Sequence, residues 1–149
     1  MLGELNEMQI DNLLVSQAVG RIGCTDGKKS YIVPVTYVYD GIDIIGQTKE
    51  GMKLDILRKN PNVCFEVDVL TNMANWQSVI LSSTFLELKG KASQEAREYL
   101  FNHVWPLLTS STIHPHEHEV SGKVDDGNRI KQIMYRIKIK EKSGRFEKQ

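Results

Sequence analysis

The sequence predicts a mainly β chain, an antiparallel barrel or sandwich with helices at its periphery, on three observations. Short runs rich in Val, Ile, Tyr and Thr recur along most of the 149 residues and are bounded by turn dipeptides. Helical spacing of apolar residues is confined to a few short stretches. Those stretches separate groups of strands without the regular strand–helix–strand alternation of a parallel sheet.

Leu5, Met8, Ile10, Leu13 and Leu14 recur at helical spacing, and Asn6 stands three residues ahead of Gln9 in a loose capping pattern, so a short amphipathic helix is expected to open the chain. Small and branched apolar residues from Ala18 to Cys24, the turn pair Asp26-Gly27 and the run Tyr31 to Tyr39 read as a hairpin. Pro34 cannot donate to a ladder, which places it on an edge or at an irregularity. Asp40-Gly41 marks another turn, and Ile42 to Gln47 a short strand. Leu54 and Leu57 then share a helical face, and Pro61 stops that helix by about Asn60.

Val63 to Val69 alternates apolar residues with Cys64, Glu66 and Asp68, the pattern of a half-buried strand with carboxylates on its second face. Residues 71–76 read as a polar loop, Ser78 to Lys91 as a long β run, and Ser93 as the start of a helix with Glu95 in its first turn and Tyr99, Leu100 and Val104 as its apolar face, ended by Trp105-Pro106. Residues 109–128 look like loop. Ile130 to Ile139 returns to alternation, with Ile133, Tyr135, Ile137 and Ile139 on one face. The length is that of a single domain, taken as residues 1–149.

Lys plus Arg and Asp plus Glu number 19 each, and this zero balance weighs against a nucleic-acid binder. Tyr31, Tyr37, Tyr39 and Phe65 could stack on bases, but core packing is the commoner job of such residues. The basic residues Arg136, Lys138, Lys140, Lys142, Arg145 and Lys148 read as a solvated strand face. No apolar run is long enough for a membrane helix, and Met1-Leu2-Gly3-Glu4 lacks the basic start of a secretory signal, so a cytoplasmic protein without membrane partners is expected. Cys24 and Cys64 lie in apolar runs and read as small buried hydrophobes.

Motifs of hydrolase elbows, zincins, thioredoxin-like redox sites, Walker loops and dinucleotide-binding folds are absent. His114, His116 and His118 alternate around Glu117, but a solvated loop is the simpler reading and no metal is expected. The segment Ile45 to Lys53 is more informative. A strand ends, a polar loop carries Thr48, Lys49 and Gly51, and a helix begins at Gly51 or Met52. A helix N-terminus presents unpaired N–H groups, so this order suits a phosphate, with Thr48 and Lys53 as added donors.

Gly20-Arg21-Ile22-Gly23, Tyr31-Ile32-Val33-Pro34-Val35-Thr36-Tyr37 and Gly51 to Val67 match, in order and spacing, the pyridoxamine 5′-phosphate oxidase-like flavin-binding superfamily, which this chain resembles. Trp76-Gln77-Ser78-Val79-Ile80 is similar to a block of its 5-nitroimidazole-resistance, flavin-nucleotide-binding branch. Ile137 through Arg145 is similar to its closing strand. The resemblance implies a split β-barrel, homodimeric, with two FMN molecules at the subunit interface. Tyr31, Ile32, Val33, Pro34, Val35 and Thr36 would run along the isoalloxazine. Gln47 and Thr48 would lie at the ribityl and phosphate end, Met52 and Lys53 at the basic phosphate-binding pair. Trp76 and Ser78 would come from the second subunit.

Two departures stand out. Relatives often carry two cations where this chain has Met52-Lys53, leaving Lys49 as a substitute, and the nitroimidazole-resistance branch commonly has a histidine where this chain has Gln47 or its neighbour. The Trp and Arg that hold substrate in true pyridoxamine phosphate oxidases have no match. What the resemblance implies is therefore an FMN-dependent oxidoreductase that reduces a small acceptor, such as a nitro compound or quinone, with electrons from a small-molecule donor, and no identifiable catalytic residue. The alternatives are a flavin-binding protein for storage or sensing without turnover, and a barrel using haem or a deazaflavin.

Overall fold

The computed structural model describes residues 1–104 and 132–149. Its order is β1 (Leu2–Glu4), α1 (Glu7–Ser16), β2 (Val19–Thr25), β3 (Ser30–Tyr39), β4 (Ile44–Lys49), α2 (Met52–Lys59), β5 (Asn62–Asn72), β6 (Asn75–Glu87), α3 (Gly90–Val104) and β7 (Gln132–Glu147). The strands form one antiparallel sheet in the order β1-β7-β4-β3-β2-β5-β6, and β7 also pairs with β6. That extra pairing closes β7-β4-β3-β2-β5-β6 into a barrel, so β6 is paired on both sides. The long β7 makes closure possible: residues from Gln132 to Ile137 pair with β4 and residues from Tyr135 to Glu147 with β6.

Local chemistry explains most boundaries. Asn6 and Gln9 form a full reciprocal capping box, each side chain bonded to the other's backbone N–H at 2.8–2.9 Å. Asp26 Oδ1 accepts from the N–H groups of Lys28 and Lys29, and Gly27 takes a φ of 95° that favours glycine, which closes the β2–β3 hairpin. Asn60, before Pro61, ends α2 and anchors it to β2 through its side chain, which donates to the Thr25 carbonyl at 3.1 Å.

Alternation on β5 is as expected. Val63, Phe65 and Val67 are buried, whereas Cys64, Glu66 and Asp68 lie on the outer face. The barrel interior holds Ile22, Tyr37, Phe65, Leu81, Tyr135 and Ile137, each essentially inaccessible, with Tyr37 and Phe65 edge to face at 5.2 Å. Each such side chain contributes about 1.5–3 kcal/mol by burial. Helix α3 packs Ala96 and Leu100 on Ile45 and Met134, a second and smaller core on the outside of β4 and β7.

Several elements differ from the sequence expectation. A short strand, β1, precedes the opening helix and pairs with the end of β7, a contact of 145 residues' separation that no local pattern announces. Residues 71–76 are not a loop: β5 runs to Asn72 and β6 starts at Asn75, around a tight turn in which Asn72 Oδ1 accepts from the Ala74 N–H. Helix α3 starts at Gly90 rather than Ser93, so Lys91 belongs to the helix and not to the β run. Cys24 is buried, but Cys64 is exposed, because strand parity turns it outward.

Tyr37, Tyr39 and Phe65 pack in the core, the commoner role foreseen for them. Not all of the basic C-terminal residues form a solvated face. Arg136 donates to Asp40 at 2.8 Å and to Asp43 at 3.3 Å, and Lys142 reaches Asp11 at 3.2 Å and the Tyr39 hydroxyl at 3.4 Å. His114, His116 and His118 lie outside the described residues. Among the described residues no helix is long and apolar enough to cross a membrane.

Candidate functional site

Strands β3 and β4 pair only over Tyr37–Gly46, Val38–Ile45 and Tyr39–Ile44. Beyond Gly46 they diverge. β4 continues as Gln47, Thr48 and Lys49 along β7, while β3 is paired from Ser30 to Thr36 with β2 alone. Extending the broken register would set Thr36 against Gln47 and Val35 against Thr48, so the barrel is split where six of the predicted cofactor residues meet two others. Backbone N–H and C=O groups of β3 that face away from β2 have no strand partner there among the described residues, and such groups need one. Pro34 sits inside this one-sided stretch, opposite Arg21, where its missing N–H breaks no ladder.

Helix α2 packs on β2 and begins beside the start of β3. Its first residue, Met52, is exposed and its sulfur contacts the Tyr31 hydroxyl, joining the start of β3 to the start of the helix. Gly51 leads into it with open space where a Cβ would stand, and its carbonyl receives the Asp55 N–H at 3.1 Å. Lys53 follows, half buried, and makes no hydrogen bond or ion pair among the described residues. Burial holds its ammonium below the usual lysine value, with Cys24 acting weakly in the other direction. Thr48 is buried on the preceding strand, its hydroxyl 3.4 Å from the Lys49 carbonyl, a long and weak contact. Gln47 and Lys49 are exposed.

An open groove of about 480 Å³ runs from Tyr31 and Ile32 across the outside of the barrel, over Gly23 and Cys64 to Ser82 and Lys140. The absence of a side chain at Gly23 makes room for the Cys64 sulfur, which sits 2.6 Å from where a Cβ would stand. The exposed thiol at this place was missed by the sequence reading, although the parity of β5 carried the signal.

Trp76 and Ser78 do not join the split within one chain. They lie on β6, separated from β3 by β2 and β5, about 14 Å at the usual strand spacing. The Trp76 indole N–H donates to Glu147 at 3.2 Å and the Ser78 hydroxyl to Glu66 at 3.2 Å. Glu66 and Asp68 both lie 3.5 Å from the same Arg21 nitrogen. Burial, and then the neighbouring Asp68, push the Glu66 carboxyl up to about 7, against the opposing pull of Ser78 and Arg21.

Set together, β3 offers backbone groups on the side away from β2, and Lys53 a partly desolvated cation, neither with a partner among the described residues. That combination can hold a planar, hydrogen-bonding ring joined to an anion. Among solved structures the chain is similar to an FAD-binding protein of Mesorhizobium loti, at 22% identity with a TM-score of 0.75 over 100% of this chain and 98% of the other. It is also similar to a candidate 5-nitroimidazole antibiotic resistance protein of Bacteroides thetaiotaomicron, at 13% identity with a TM-score of 0.69 over 98% and 87% of the two chains. An uncharacterized protein of Rhizobium meliloti is 26% identical over 104 residues, 70% of this chain and 67% of that one. The family model described as pyridoxamine 5′-phosphate oxidase matches residues 6–146, nearly the whole chain, and the protein belongs to that family.

Proposed function

We propose that the protein binds a flavin mononucleotide in the split between β3 and β4, as a homodimer, and uses it to pass electrons from a small-molecule donor to a small acceptor. One observation carries the reading: Lys53, unpaired among the described residues, stands near the start of β3, whose edge away from β2 has no strand partner among them from Ser30 to Thr36. Lys53 and Thr48 would hold the phosphate, with N–H groups at the start of α2. An anion there would restore the ammonium that burial disfavours. Gln47 would reach the ribityl chain. Along Tyr31, Ile32, Val33, Pro34, Val35 and Thr36 the backbone groups turned away from β2 would bond the polar rim of the ring, and Met52 would pack beside Tyr31.

The flavin, when bound, supplies the hydride and electron chemistry. The chain's own groups fix its orientation and keep water from one of its faces. Trp76 and Ser78 would enter only from a second copy, since one chain keeps them some 14 Å from β3. The FAD-binding name of the Mesorhizobium loti protein supports flavin binding in general. FMN is favoured here because Lys53, unpaired among the described residues, offers a cation for one phosphate. A cytoplasmic location fits a protein that draws on soluble donors.

The test is the visible spectrum of purified protein, followed by mass spectrometry of what heat releases and by titration of stripped protein with FMN and FAD. FMN released, and FMN bound more tightly than FAD, is the expected result. A colourless protein that ignores both flavins would sink the proposal. Reduction of the bound flavin by a nicotinamide donor, followed by reoxidation on adding a quinone or nitro compound, would separate turnover from storage.

A further inference from the structure

Helix α2 begins without a side-chain cap, and the first N–H that bonds within it is that of Asp55, to the Gly51 carbonyl. The N–H groups of Met52, Lys53 and Leu54 are left without an intrahelical partner, as at any helix start. Met52 opens this turn. Its side chain is 58% exposed, and its sulfur accepts from the Tyr31 hydroxyl at the start of β3. A thioether is a weak acceptor, so the contact joins helix to strand without holding either firmly.

The other four methionines stand elsewhere. Met1 precedes β1, Met8 lies on α1 and Met73 in the turn between β5 and β6, all three exposed, whereas Met134 of β7 is wholly buried. Met52 alone among the five combines an exposed side chain with a place in the candidate phosphate site. Exposure also means that the fold gains little from this large apolar side chain.

Oxidation changes what the side chain can do. A peroxide transfers one oxygen atom to the sulfur: an S–O bond forms, the O–O bond breaks and water leaves, so the thioether loses two electrons and the peroxide gains them. The product carries a strongly polar oxygen on a flexible side chain, and it stands beside Lys53 on the residue that starts the turn. The Tyr31 hydroxyl would hold that oxygen more firmly than it holds the sulfur. The first-turn N–H groups and the Lys53 ammonium, the donors assigned above to a phosphate, then meet an acceptor belonging to the chain itself.

We propose that Met52 is an oxidation site, and that its sulfoxide closes the phosphate end of the split by competing for the donors a phosphate needs. The inference rests on the flavin reading and adds a control to the same site. Hydrogen peroxide, which reduced flavins form from dioxygen, is the oxidant, and it weakens the protein's hold on its cofactor.

The test treats stripped full-length protein with graded hydrogen peroxide, follows each methionine by peptide mass and measures FMN affinity by quenching of flavin fluorescence. Met52 should take up one oxygen along with Met1, Met8 and Met73 and well ahead of Met134. FMN affinity of the oxidised wild type should fall at least about fivefold, the worth of one net hydrogen bond, and recover after treatment with methionine sulfoxide reductase. Met52→Leu has its own starting affinity, which the same treatment should leave within about twofold, although Met1, Met8, Met73 and the exposed Cys64 remain in it to be oxidised. Met52 left intact when Met1, Met8 and Met73 are fully converted would overturn the inference. So would an oxidised wild type that binds FMN as before, or a Met52→Leu protein that loses affinity as steeply as the wild type. Untreated wild type that binds neither FMN nor FAD would instead remove the flavin reading, and this inference with it.

Discussion

Helix α2 carries a cation near each end, and the two are treated oppositely. Arg58, near the C-terminal end, is clamped by Glu50 and Glu87 through four hydrogen bonds of 2.9–3.2 Å from Nε, Nη1 and Nη2. Lys53, in the first turn, is half buried and bonded to none of the described residues. The fork of a guanidinium suits it to tie a helix to two neighbouring elements. A desolvated ammonium with no carboxylate beside it contributes nothing to the fold that Leu or Met would not contribute better. The difference separates a charge tied into the structure from one left without a partner among the described residues, although both lie within seven residues.

The largest effect should come from Lys53→Ala, which removes the only charge-assisted side-chain contact proposed for the phosphate. Loss of such a contact costs about 1.5–3 kcal/mol, or roughly 10- to 150-fold in FMN affinity, measured by quenching of flavin fluorescence. Unchanged affinity would move the phosphate elsewhere and dissolve the contrast between the two ends of α2. Thr48→Val keeps the shape and deletes a hydroxyl, so about 2- to 10-fold weaker binding is expected in the same titration.

A third charge environment sharpens the comparison, because Arg21 shares a single nitrogen between Glu66 and Asp68 where Arg58 uses its whole fork. Glu66 is held above its ordinary value of 4.5, so the folded protein binds that proton better than the unfolded chain does. Its ionised form therefore weighs against folding, and wild-type stability falls as pH rises from about 4.5 to about 7. Glu66→Gln should raise the thermal midpoint at pH 8 and leave it nearly unchanged at pH 4. Equal midpoints at pH 8 would mean that Arg21 compensates both carboxylates after all.

The smallest effect on binding belongs to Arg58→Ala. FMN affinity should stay within about twofold of wild type while the thermal midpoint drops modestly, as expected of a surface ion-pair network. A loss of affinity comparable to that of Lys53→Ala would show that the clamp serves the site and not only the fold.

How much was legible beforehand follows from the range of the interactions involved. The capping box of Asn6 and Gln9, the Asp26-Gly27 turn, the stop at Asn60-Pro61 and the parity of Val63 to Val69 are local, fixed by a residue's own chemistry and that of neighbours two to four positions away. The end of a strand before a helix beginning at Met52, within Ile45 to Lys53, was readable for the same reason. Nothing local announces that Leu2–Glu4 pairs with the chain's end, that Arg136 is drawn from a basic stripe to Asp40 and Asp43, or that Glu66 and Asp68 must share Arg21.

Amino-acid order alone determined most of the secondary elements, the inward face of β5 and the family, because periodicity, turn chemistry and motif spacing are properties of the chain. Tertiary structure decided where β3 and β4 part company. β7 follows one edge of β4 from Ile44 to Lys49, through residues more than eighty positions downstream, whereas β3 leaves the other edge after Gly46 and stays with β2. Tertiary structure also decided which charges were left over. Burial and pairing are properties of the closed barrel, and only the closed barrel distinguishes Lys53 from Arg58.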